Sequence, residues 1–150
     1  MLIIRRHLTP GTSASKPEYS LTLTFDERRK SRLRAKLDDG TEVALMLERG
    51  SVLRGGDALV TDYGSVVLVK AADEMVSTVH ASCVRELARV AYHLGNRHVP
   101  LEVGDGWVRY EHDHVLDNLV AGLGLSAVVG SAPFEPEGGS YGRGGHSHEH

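Results

Sequence analysis

The chain has 150 residues, 17 of them lysine or arginine and 20 aspartate or glutamate, for a formal charge of -3. That balance excludes the strongly basic footprint of a nucleic-acid binder, and the length suffices for one compact domain or two small ones with a real core. A single cysteine, Cys83, excludes an intramolecular disulfide framework and suits a reducing compartment. The apolar start Met1 to Ile4 is too short for a signal peptide and no long apolar stretch follows, so the expectation is a soluble, cytoplasmic protein with no membrane partner.

Up to about residue 71 the apolar residues recur with period two. Leu21, Leu23 and Phe25 alternate with threonines, Leu33, Ala35 and Leu37 with Arg34 and Lys36, and Val43, Leu45 and Leu47 continue the pattern after the turn Asp38-Asp39-Gly40. The basic stretch Arg28, Arg29, Lys30, Arg32 and Arg34 reads as a solvated turn and strand face. Residues 11–18 read as a loop. Arg54-Gly55-Gly56-Asp57 and Asp62-Tyr63-Gly64 supply turns around the Leu59-Val60 and Val66-Val67-Leu68-Val69 runs. Residues 1–71 are expected to form a small all-β domain.

Near Ala71-Ala72-Asp73 the period changes. After a short strand from Met75 to Val79, apolar residues at Cys83, Leu87, Val90 and Leu94 take helical spacing, with Gly95 as the expected stop and Cys83 as a small buried residue at the helix start. Strands at Val99 to Val103 and Trp107 to Glu111 flank the hairpin signal Gly104-Asp105-Gly106. Asp113 can cap a second helix with an inner face of Val115, Leu116, Leu119, Val120 and Leu123, ending at Gly124, and a last strand runs from Leu125 to Val129. Residues 72–137 thus read as a ferredoxin-like βαββαβ domain, and the whole chain as α+β. Residues 138–150 are glycine-rich and too poor in apolar residues to offset their ordering entropy, which predicts a flexible tail carrying histidines.

Nine histidines occur, and seven of them lie from His93 onward. Imidazole is the side chain that can be a neutral nitrogen ligand near pH 7, so the clustering points to a borderline metal. His98 lies just past the helix end; alone it is a poor site, but a twofold interface near this turn would bring two copies together. The competing reading is a helix C-terminal residue bonded to a backbone carbonyl. His112 and His114 face the same side if the strand continues through them, and Asp113 between them is a better helix cap than ligand. The tail offers His146, His148 and His150 with Glu149, a composition that reads as metal binding although a floppy segment binds more weakly than a preorganised one. His93 shares a polar helix face with Arg85 and Arg89, where a cation complements the dipole. His7 and His80 have no neighbouring donor pattern.

Signatures of catalysis are absent. Residues 50–57 have the glycine spacing of a phosphate-binding loop but place Gly56-Asp57 where lysine and serine or threonine are needed. There is no His-Glu-x-x-His pair and no Gly-x-Ser-x-Gly elbow. The expectation is a protein that is not an enzyme.

The run Ala91-Tyr92-His93-Leu94-Gly95-Asn96-Arg97-His98-Val99-Pro100-Leu101, then Tyr110, Asp113-His114-Val115-Leu116 and residues 132–137 (Ala-Pro-Phe-Glu-Pro-Glu) resemble the UreE urease accessory proteins, nickel chaperones of urease maturation. Leu37-Asp38-Asp39-Gly40 and residues 49–57 match the same family's β domain. The resemblance implies a homodimer in which a β domain for partner or peptide binding precedes a metal-binding and dimerisation domain. It further implies that His98 from each chain shares one Ni(II) at the interface, that His112 and His114 form a peripheral site in some members, and that the partners are a urease maturation GTPase and the urease apoprotein complex. Histidine and carboxylate ligands suit Zn(II) or Cu(II) as well as Ni(II). Two other functions fit the same residues: a general nickel or zinc buffer acting through the tail, and a peptide-binding adaptor whose metal only stabilises the dimer.

Overall fold

A computed structural model of the protein describes residues 1–8 and 16–138. It contains two compact units, Met1–Ala72 and Asp73–Glu137.

The first unit is a six-stranded sheet of β1 (Leu2–Leu8), β2 (Tyr19–Leu23), β3 (Arg32–Lys36), β4 (Glu42–Met46), β5 (Ala58–Thr61) and β6 (Val66–Ala71), with a short helix α1 (Phe25–Arg28) after β2. The strand order is β2-β6-β5-β1-β4-β3; β1 with β4 and β2 with β6 are parallel, the other pairs antiparallel. Alternate residues Leu21, Leu23, Val43, Leu45, Val67 and Val69 enter one core with Ile4, Leu53 and Leu59, as the period-two pattern requires.

Two expectations are corrected here. The strand expected through Phe25 stops at Leu23, because Thr24 and Glu27 form a capping box: the Thr24 hydroxyl accepts from the Glu27 amide at 3.3 Å while the Glu27 carboxylate accepts from the Thr24 amide at 2.9 Å. The basic stretch is not uniformly solvated. Arg28 is completely buried, donating through Nε to the Leu23 carbonyl and through Nη1 to the Leu53 carbonyl, each at 3.2 Å, whereas Arg29, Lys30, Arg32 and Arg34 are exposed.

The second unit follows the order β7 (Asp73–His80), α2 (Val84–Gly95), β8 (Glu102–Gly104), β9 (Trp107–Glu111), α3 (His114–Gly122) and β10 (Ala127–Pro133). Its antiparallel sheet runs β10-β7-β9-β8, which is the ferredoxin-like βαββαβ arrangement. Val90 and Leu94 of α2 and Leu116 and Val120 of α3 bury against Val79, Val108 and Tyr110 of the sheet. Val115, expected on the inner face, is 59% exposed: residues at the spacing of Leu116 and Val120 share a helix face, and their neighbour is turned away from it. Cys83 is the exposed N-cap of α2, since burial begins only at Leu87 and Val90.

The last strand starts two residues later than expected and runs to Pro133. Gly124, at φ 84°, reverses the chain after α3, and the next two residues complete the turn before β10 pairs with β7. Residues 134–137 then run back toward β8 at the opposite edge of the sheet: the Glu135 amide donates to the Glu102 carboxylate at 3.0 Å and the Glu137 amide to the Leu101 carbonyl at 2.8 Å. Phe134 and Pro136 are buried. The segment ends beside the approach to β8, a few residues along the chain from His98.

Candidate metal centre

His98 owes its position to the way α2 ends. Gly95 closes the helix without adopting the left-handed conformation expected of a glycine stop, and Asn96 follows in right-handed geometry. The amides of Arg97 and His98 then bond back to the carbonyls of Leu94 and Gly95 at 3.1 and 3.0 Å. His98 itself carries the left-handed turn at φ 57°, alone among the described non-glycine residues. Immediately afterwards Val99 packs onto the core and Pro100 holds the chain extended, leaving the imidazole exposed. Its ring makes no hydrogen bond to any described residue, so it is not the carbonyl-bound helix residue of the competing reading.

His112 and His114 are brought together, their ring centroids 5.8 Å apart. The sheet continues one bond past β9, from the His112 amide to the Met75 carbonyl at 3.1 Å, and Asp113 remains extended as the N-cap of α3. The expected strand-like spacing therefore survives although His114 opens the helix. With a metal–nitrogen bond of about 2.0–2.1 Å, two rings on one ion have centroids roughly 4.5–6.4 Å apart. The observed separation lies within that range. Asp113 accepts from the amides of Val115 and Leu116 at 2.8 and 3.2 Å, which makes it a helix cap.

His112 is also anchored from below. Its Nδ1 lies 3.1 Å from the Ser77 hydroxyl and 3.2 Å from Asp117 Oδ2. Asp117 Oδ1 accepts from the fully buried Tyr110 hydroxyl. Burial, reinforced by that carboxylate, pushes the Tyr110 phenol well above its usual range.

The remaining histidines separate by surroundings. His93 is half-buried in the last turn of α2, edge-on to Tyr92, and His80 is exposed. His7 has a partner that no local pattern signalled: its Nε2 lies 2.8 Å from Asp57 Oδ2, which also accepts from the Arg54 amide at 2.9 Å. Asp57 belongs to the phosphate-loop lookalike, and its role there is to close a turn. His146, His148 and His150 lie outside the described residues. Among the described residues no three His, Cys, Asp or Glu side chains converge as a metal-binding group, and no helix is long and apolar enough to cross a membrane.

Comparison with known proteins follows the same division of the chain. Residues 3–72 match the N-terminal domain, and residues 74–150 the C-terminal domain, of the UreE urease accessory protein. The urease accessory protein UreE of Pseudomonas putida strain W619 is 58% identical over 148 residues, covering 98% of this chain and 90% of that protein. Its counterpart in Alkalilimnicola ehrlichii is 57% identical over 153 residues, with 91% and 94% covered. That of Proteus mirabilis is 55% identical over 131 residues, with 87% and 81% covered. With both domains matched in chain order and more than half the residues shared, this chain belongs to the family of UreE urease accessory proteins, which are accessory factors and not enzymes.

Proposed function

We propose that the protein carries Ni(II) as cargo, holding it through His98 at a homodimer interface and delivering it to the urease maturation machinery. The observation that carries this reading is His98 itself, an exposed imidazole with no hydrogen-bond partner among the described residues, held outward by a left-handed backbone that a non-glycine residue adopts only at a cost. The described residues of one chain do not supply three converging donors. A tight site is therefore completed by a second copy, by the tail, or by both.

The end of the described chain favours a tail contribution. Glu137 is bonded to Leu101, which fixes the start of the tail a few residues along the chain from His98. His146, His148 and His150 are proposed as auxiliary ligands at that site. His112 and His114 are proposed as a peripheral site, supported by their ring separation. The residues fit the cargo, because imidazole and carboxylate suit Ni(II), with Zn(II) and Cu(II) as competitors, and affinity alone does not select nickel over copper. Selection then belongs to delivery: an open site lets a partner, here the urease maturation GTPase acting with the urease apoprotein complex, take over ligands one at a time. Protein in the cytoplasm is the setting this reading requires.

Nickel titration of the full chain and of His98→Ala, with molecular mass read in parallel, tests the proposal. The variant is expected to remain dimeric and to lose the tightest site. Unchanged tight binding by a folded His98→Ala dimer would overturn it. Because neutral imidazole must outcompete protons, nickel affinity should fall below about pH 6.5, by roughly tenfold per pH unit for each histidine titrated. Affinity that stays flat between pH 7.5 and 5.5 contradicts histidine ligation.

A further inference from the structure

The group beneath His112 joins three elements: Ser77 on β7, Tyr110 on β9 and Asp117 in α3. Its hydrogen bonds can be assigned because few protons are available. The Asp117 carboxylate only accepts, so the Tyr110 hydroxyl donates its single proton to Asp117 Oδ1. The Ser77 hydroxyl, which can donate or accept, lies 3.1 Å from His112 Nδ1.

Asp117 Oδ2, 3.2 Å from the same nitrogen, sets the direction, since a carboxylate facing an imidazole lone pair would be repelled. The Asp117 contact places the proton on Nδ1, and Ser77 can accept from it. Ser77 and Tyr110 are fully buried, so water does not readily substitute for either partner. The His112 ring is about one-third exposed, with a side-chain accessibility of 32%. No hydrogen bond from a described residue reaches its Nε2, and the lone pair on that nitrogen is left unengaged.

We propose that Asp117, supported by Ser77 and Tyr110, is a positioning residue that locks His112 in the Nδ1–H tautomer and leaves the Nε2 lone pair available to a divalent metal ion shared with His114. The inference rests on the reading of His112 and His114 as a peripheral metal site. It adds the means by which one of two loosely exposed imidazoles is preorganised. Metal-ligating histidines commonly donate their second ring nitrogen to a carboxylate or a backbone carbonyl, and loss of such a partner weakens binding. The bond that the other nitrogen makes decides which one is free.

The test uses the full-length apo-protein with labelled histidine at pH 8. Two-bond proton–nitrogen correlation reads each tautomer directly. His112 is expected as Nδ1–H in the wild type. In Asp117→Asn the amide can donate toward Nδ1, so the ring should shift to Nε2–H. A wild-type His112 in the Nε2–H form would overturn the proposal without any metal present. Zinc(II) alone is then titrated and followed at the two rings. Zinc should perturb His112 Nε2 together with His114, with affinity falling roughly tenfold or more in Asp117→Asn while thermal unfolding shows the variant folded. Equal affinity in that variant would overturn the positioning role. An Nδ1–H ring that zinc leaves untouched, together with an untouched His114, would overturn the peripheral site and the ligand role with it, a signature distinct from the tautomer failure.

Discussion

At φ 57°, His98 occupies backbone space that glycine enters freely and other residues enter at a cost of about 1–2 kcal/mol. With His98 in its proposed role as a ligand, stability and ligation make opposite demands at one position. His98→Gly should raise folding stability by roughly 1 kcal/mol, visible as a higher midpoint in chemical denaturation, while removing the tightest nickel site. A glycine variant that unfolds earlier and keeps its nickel would contradict both halves of that expectation. Tyr110 supplies a second test at this scale. Its phenol is held protonated in the folded state by burial and by Asp117, so its contribution is fully present below the ordinary tyrosine pKa of 10.0. As pH rises past that value the unfolded chain ionises first, and stability falls toward the raised folded pKa. Urea denaturation between pH 9 and 11 should show a decline that is shallower in Tyr110→Phe. Identical pH slopes would show that Tyr110 does not couple to folding.

At the scale of elements, the β8–β9 hairpin depends on a missing side chain. A Cβ at Gly104 would sit 2.1 Å from the Trp107 ring, which is also stacked under the Arg109 guanidinium at 4.6 Å. Gly104→Ala should therefore destabilise the second unit by about 1–3 kcal/mol through overpacking, measurable as a lower thermal midpoint; an unchanged midpoint would mean that the indole moves aside freely. Elements with long, regular apolar periods were the most legible in the sequence. The α2 stripe through Val90 and Leu94, the Trp107–Glu111 strand and the Asp113 cap all follow from spacing and cap chemistry, and so does the βαββαβ order. The turn into α1 was missed because alternation through Phe25 masked the Thr24 and Glu27 capping box. Arg28 was misread because charge patterning cannot show that Leu23 and Leu53, the latter far along the chain, turn their carbonyls inward to receive it.

Across the whole molecule, what local patterns could not carry were contacts between distant segments. His7 and Asp57 are 50 residues apart, and Ser77 and His112 are 35 apart; neither pairing has a periodic signature. The left-handed turn at His98 was hidden because Gly95 offered the more usual stop. Histidine identity and order were nevertheless readable, and family resemblance singled out His98. If two copies of His98 act on one ion, as proposed, a mixed dimer separates that shared site from one held within a single chain. Nickel affinity is measured for a purified heterodimer in which one protomer carries His98→Ala and the other is wild type. The mixed dimer should lose the tightest site to an extent comparable to the doubly substituted dimer, because one imidazole remains where two are needed. Retention of half the wild-type sites at unchanged affinity would contradict it, since each His98 would then bind within its own chain.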